Sequence, residues 1–69
     1  MTYTAVPNSQ IWIDGVELVN VVSGDVTAAE AKAREAIDGG GAWFVFPYAG
    51  GHYTIWLSPS SSVIALYVG

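Results

Sequence analysis

The sequence predicts an α+β domain: a β-hairpin, one helix, then a three-stranded, mostly antiparallel β segment, with the helix packed on one face of the sheet. Three observations carry this. Asp14-Gly15 lies between two apolar runs. An alanine-rich stretch stops at Gly39-Gly40-Gly41. The rest alternates apolar segments with the breakers Ala49-Gly50-Gly51 and Ser58-Pro59-Ser60-Ser61-Ser62. One domain over residues 1–69 follows from the length.

Residues 1–9 read as an N-terminal arm or edge strand closed by the turn signal Pro7-Asn8-Ser9. Next, Asp14-Gly15 is a strong two-residue hairpin signal between Gln10–Ile13 and Val16–Val22. A two-residue loop pairs Ile13 with Val16, Trp12 with Glu17, Ile11 with Leu18 and Gln10 with Val19. Paired residues share a face. One face is then Ile11, Ile13, Val16 and Leu18; the other is Gln10, Trp12, Glu17 and Val19. A one-residue slip would scramble this partition.

Ser23-Gly24-Asp25 ends the second strand, and a helix follows. Thr27 with Glu30 has capping-box spacing. Glu30 and Arg34 stand in the favourable i,i+4 order. Ala29, Ala33, Ala36 and Ile37 form one shallow stripe, which lets the axis lie close to a sheet. Gly39 is the expected left-handed cap. Beyond the glycines, Ala42–Tyr48 places Trp43, Val45 and Pro47 on one face and Ala42, Phe44, Phe46 and Tyr48 on the other. Both are apolar, as in a central strand or one covered by a partner. His52–Leu57 alternates His52, Thr54 and Trp56 against Tyr53, Ile55 and Leu57, and Val63–Val68 is a last apolar strand.

The layout resembles a class of short, mostly uncharacterised α+β proteins of actinobacteria and their phages. The carrying residues are Asp14-Gly15-Val16-Glu17, Thr27 to Glu30, Gly41-Ala42-Trp43-Phe44-Val45-Phe46, and Trp56-Leu57-Ser58-Pro59 followed by Val63-Ile64. The resemblance spans residues 11–68. It implies a phage-type or accessory origin and no activity.

Composition narrows the function classes. The chain has two basic residues, six acidic ones, one His and no Cys; 52% of it is hydrophobic and 12% charged. Average proteins are about 25% charged. The hydrophobic fraction argues against disorder. Without Cys there is no disulfide framework and no thiolate zinc site. Two basic residues leave no footprint for nucleic acid, and six carboxylates are too sparse to imitate a phosphate array. Neither a secretory leader nor a run of about 18 apolar residues is present, so no membrane span and a cytoplasmic location are expected, in the host cell if the chain is phage-encoded.

Catalytic candidates are thin. His52 lacks an orienting acid or a nucleophile elbow in its sequence surroundings. Asp14, Asp25 and Asp38 occupy ordinary turn and capping positions. Gly39-Gly40-Gly41 follows a helix instead of preceding one, opposite to a phosphate cradle. No catalytic residue, metal ligand or cofactor is expected.

Size and polarity point to association. A domain of about 60 residues buries only about 60% of its unfolded surface, and scaffolds this small need a disulfide, a metal or a partner. All eight charged residues lie between positions 14 and 38, and the mean hydropathy is +0.42. A homo-oligomer is expected. Nine aromatics supply interface anchors, for which Trp43, Phe44, Phe46, Trp56 and Tyr67 are the candidates. The reading is a non-enzymatic interaction protein that self-associates and binds a host or virion protein. The alternative is a module that sequesters a small molecule or nucleotide at subunit interfaces, in a pocket of Tyr48, Gly50, Gly51, His52 and Tyr53.

Overall fold

In a computed structural model, residues 9–22 and 24–67 are described. Apart from Ser9, the expected arm lies outside the described residues.

Strand β1 spans Gln10–Ile13 and β2 spans Val16–Glu17. Trp12 faces Glu17 and Ile13 faces Val16, in the register expected from the sequence. The Leu18 N–H continues the pattern to the Ile11 carbonyl at 2.9 Å. Both turn residues are left-handed, Asp14 at φ 51° and Gly15 at φ 82°. A type I′ turn requires this, and its twist suits the flanking strands. Ile11, Ile13 and Leu18 are enclosed, while Val16, assigned to the same face, is 65% exposed because it overhangs the core at the turn. On the outer face the Gln10 side chain donates to the Glu17 carboxylate at 3.0 Å.

Helix α1 spans Asp25–Asp38. The expected capping box does not form. The helix begins two residues before Thr27, with Gly24 as its N-cap and no side-chain capping bond. The Asp25 N–H bonds instead to the Val22 carbonyl at 2.9 Å. Thr27 therefore sits inside the first turn, and Glu30 is engaged elsewhere. Val26, Ala29 and Ala33 are the buried stripe, with Ala36 and Ile37 half-buried beside it. The left-handed cap falls one residue later than expected. Gly39 has φ −82°, whereas Gly40 has φ +95°. Gly40 N–H bonds to the Ile37 carbonyl and Gly41 N–H to the Ala36 carbonyl at 3.2 and 2.8 Å, the paired bonds of a Schellman motif.

Strands β3 (Ala42–Tyr48), β4 (Gly51–Leu57) and β5 (Val63–Leu66) complete the chain. The α+β class holds, with the helix packed against the strands. The strands divide into two antiparallel sheets, β2-β1-β5 and β3-β4. The split arises because β5 leaves β4 and returns to β1, pairing Gln10 with Leu66 and Ile13 with Val63. Asp14 and Ser62 fasten that return: each donates its N–H to the other residue, Asp14 to the Ser62 carbonyl and Ser62 to the Asp14 carboxylate, both at 2.9 Å.

The core is Ile11, Ile13, Leu18, Val21, Val26, Ala29, Ala33, Phe44 and Leu57. It is drawn from both sheets, from the helix and from the segment between β2 and α1. The Cα radius of gyration is 12.4 Å and the principal extents are 45 × 24 × 18 Å. A compact chain of this length has a radius of about 11 Å, so the molecule is elongated.

The two positive-φ glycines that follow α1, Gly40 at +95° and Gly41 at +106°, differ in their surroundings. A Cβ on Gly40 meets nothing within 4 Å, whereas one on Gly41 would lie 3.0 Å from the Leu57 carbonyl oxygen. Gly40→Ala is expected to cost about 1 kcal/mol, the left-handed penalty alone. Gly41→Ala should cost clearly more in urea unfolding, and equal costs would contradict the close approach.

Candidate functional site

The β3-β4 ribbon is seven residues long on each strand and pairs Tyr48 with Gly51 across a two-residue turn. Its alternation separates two faces. Phe44 and Leu57, fully enclosed, point into the core. Phe46 stacks on Phe44 with ring centroids 5.9 Å apart. The opposite face carries the cross-strand pairs Trp43–Trp56, Val45–Thr54 and Pro47–His52. None of these six bears a formal charge apart from a protonated His52.

On that outer face Trp43 is 62% exposed and Trp56 54% exposed. Their rings meet edge to face, with centroids 5.5 Å apart and planes at 69°. The π quadrupole favours this arrangement. The pair is therefore a preformed indole surface: each ring limits the rotamers of the other before any partner arrives. Ordering is a main cost of association, and here much of it is already met by the fold.

The sequence candidates separate accordingly. Trp43 and Trp56 form the exposed face. Phe44 is excluded as an anchor because it is wholly within the core, and Phe46 is half-buried beside it. Strict alternation puts them on the face opposite the indoles. Tyr67 is 46% exposed, on the segment following β5, and its hydroxyl donates to the Glu30 carboxylate.

The candidate pocket residues gather at the turn end of the ribbon. Tyr48 and Tyr53 lean together with centroids 5.1 Å apart, and the Tyr48 hydroxyl lies over Gly51. Tyr53 turns inward, its hydroxyl accepting the Asn20 N–H and side-chain amide at 3.3 Å. Gly50 and His52 are exposed. A cleft of about 220 Å³ opens at the other end, between Trp43 and the C-terminal turn of α1, where Lys32, Glu35 and Gly41 also line it. Small-molecule pockets run about 300–1,000 Å³, so it is small. The sequence held a signal for the indole pair: folding β3 onto β4 at Ala49-Gly50 brings Trp43 opposite Trp56 by counting alone.

The polar groups serve the scaffold. Ser61 Oγ accepts the Ser58 N–H at 3.0 Å, and Ser58 Oγ accepts the Ser60 N–H at 3.3 Å, bracing the loop before β5. Among the described residues no cluster of three or more His, Asp or Glu side chains offers a metal site, and no helix is long and apolar enough to cross a membrane.

One charged cluster ties β5 to α1. Glu30 accepts from Tyr67 and pairs with Arg34 at 2.7 Å. The Tyr67 hydroxyl first, and Arg34 second, hold the Glu30 carboxyl below its ordinary 4.5. The same bond, with some desolvation, holds the Tyr67 hydroxyl above its ordinary 10.0. A lowered carboxyl gives stability that is present above its unfolded pKa and lost as pH falls through the folded one. A raised phenol gives stability that is present below its unfolded pKa and lost as pH rises through the folded one. Tyr67→Phe should therefore cost less than about 1 kcal/mol at neutral pH, as for exposed pairs. Chemical unfolding at stepped pH should show the difference vanishing once Glu30 is protonated. A difference that persists in acid would rule the bond out as its source.

No protein-family model, curated protein or solved structure matches the chain.

Proposed function

We propose that this chain is a small non-enzymatic interaction protein of phage-type or accessory origin. It self-associates through the uncharged outer face of the β3-β4 ribbon and presents the resulting assembly to a protein partner in the host or the virion. The observation that carries this reading is the exposed Trp43–Trp56 pair. Monomers rarely leave contiguous apolar surface open, and rimmed apolar patches mark interaction sites. Tryptophan is among the residues most enriched at binding hot spots.

Charge supports the same assignment. The chain carries a net charge of −4, so two copies repel wherever their acidic groups approach. The ribbon lies in the stretch after Asp38, which has no Asp, Glu, Lys or Arg. Copies meeting there bring apolar surface together and keep their carboxylates apart.

A second reading draws on the cleft beside Trp43. There Trp43, Glu35, Lys32 and the closing turn of α1 border one cavity, which association enlarges into a binding site for a small molecule or nucleotide. A thermal-shift panel of such ligands separates the readings, since only the ligand module raises the melting temperature.

Light scattering at micromolar concentration should report a mass well above 7.3 kDa. Trp56→Glu should yield a smaller species that keeps its backbone circular dichroism, because the side chain lies outside the core. Phe44→Glu should unfold, because it places a charge inside the core. A wild-type mass that stays at one subunit at every concentration would refute self-association.

A further inference from the structure

We propose that β4 pairs edge to edge with β4 of a second copy, antiparallel and two-fold about Thr54, joining two β3-β4 ribbons into one four-stranded sheet. The proposal rests on the self-association reading above and specifies how the copies meet.

Main-chain geometry selects the positions. In an antiparallel ladder, hydrogen-bonded and non-hydrogen-bonded pairs alternate. Tyr48 and Gly51 flank the two-residue turn and form a hydrogen-bonded pair. Pro47–His52, Val45–Thr54 and Trp43–Trp56 are then non-hydrogen-bonded pairs. Pro47 gives the same phase independently, since a proline has no N–H and is accepted in a strand only where that group would point off the ladder. The outward groups are thus those of Trp43, Val45 and Pro47 on β3, and of His52, Thr54 and Trp56 on β4. This spacing also explains the indole contact, because non-hydrogen-bonded pairs bring side chains closest.

Free edges invite pairing, and proteins blunt them with proline, charge, brevity or cover. Among the described residues, four strands have a free edge. β2 is two residues long and includes Glu17. β5 is four residues long and is followed directly by the Tyr67–Glu30 bond to α1. β3 is interrupted at Pro47. β4 alone runs seven residues with neither proline nor an acidic or basic residue other than His52.

A second copy suits this edge in register and charge. With Thr54 on the axis, His52 lies opposite Trp56 of the partner subunit, and all three outward residues of each strand find main-chain partners. Thr–Thr is a favourable cross-strand pair. On the inner face Tyr53 falls opposite Ile55 of the partner subunit, also apolar. No pair sets like carboxylates together, although each chain is net negative. Face packing of the indoles alone falls short. At about 200 Å² per aromatic, two rings 62% and 54% exposed offer about 230 Å². A standard interface buries about 800 Å² on each partner. Edge pairing adds main-chain bonds and carries both indole pairs onto one continuous wall.

The chain has no cysteine, so a single introduced thiol reports the axis. Directly opposed Cα atoms in a hydrogen-bonded pair stand about 5.5 Å apart, within disulfide reach. Thr54→Cys should form a covalent dimer on mild oxidation. Val45→Cys, on the same face but on the proline-blocked edge, should cross-link at least tenfold more slowly. Thr54→Pro removes only an outward N–H, leaving the β3-β4 ladder intact. It should give a folded single subunit at concentrations where the wild type associates. An oligomeric Thr54→Pro, or equal cross-linking of the two cysteine variants, overturns edge pairing while self-association as such stands. A wild type that is a single subunit throughout overturns the parent reading and this one together.

Discussion

One alanine-striped helix has to close the core of two sheets. Ala29 and Ala33 have no bulk beyond Cβ, so α1 approaches the strands closely and large side chains come to it: Ile11, Ile13, Leu18, Phe44 and Leu57. A helix 14 residues long, about 21 Å by its rise per residue, cannot also cover the outer faces of a molecule extending 45 Å. The exposed tryptophans follow from this limit. They are strand residues on the side that the only helix among the described residues leaves uncovered.

Two polar ties compensate for so small a core. The Asp14–Ser62 pair joins the first turn to the last loop, and Tyr67–Glu30 joins the end of the three-stranded sheet to the helix. Each links positions far apart in sequence, so each closes a long loop whose entropy resists folding. The ties lie at the surface and leave the apolar interior without a buried, unpaired side-chain polar atom among the described residues.

Local signals in the sequence were readable where local chemistry decides. Asp14-Gly15 admits two left-handed residues, and the hairpin register follows from it. The helix was legible from its alanines and glycines, but its ends shifted. Thr27 and Glu30 have capping-box spacing, yet the chain turns helical at Asp25 and Tyr67 takes Glu30. Three consecutive glycines make the left-handed position ambiguous until the bonds from Gly40 and Gly41 are seen. The long-range strand partner was not legible. Nothing near Val63 says that it returns to Ile13, because that pairing is settled by the helix spanning both sheets. Nor does alternation tell inside from outside when both faces are apolar. Phe44 and Trp43 look equally suited to an interface, and only the side that α1 occupies separates them.

The outward placement of the indoles also has an optical consequence. Trp12 is half-buried and the other two tryptophans are exposed, so none lies in the core. Intrinsic fluorescence from this chain thus originates at its periphery. Its emission reports on whatever sits against the ribbon more directly than on whether the interior is intact.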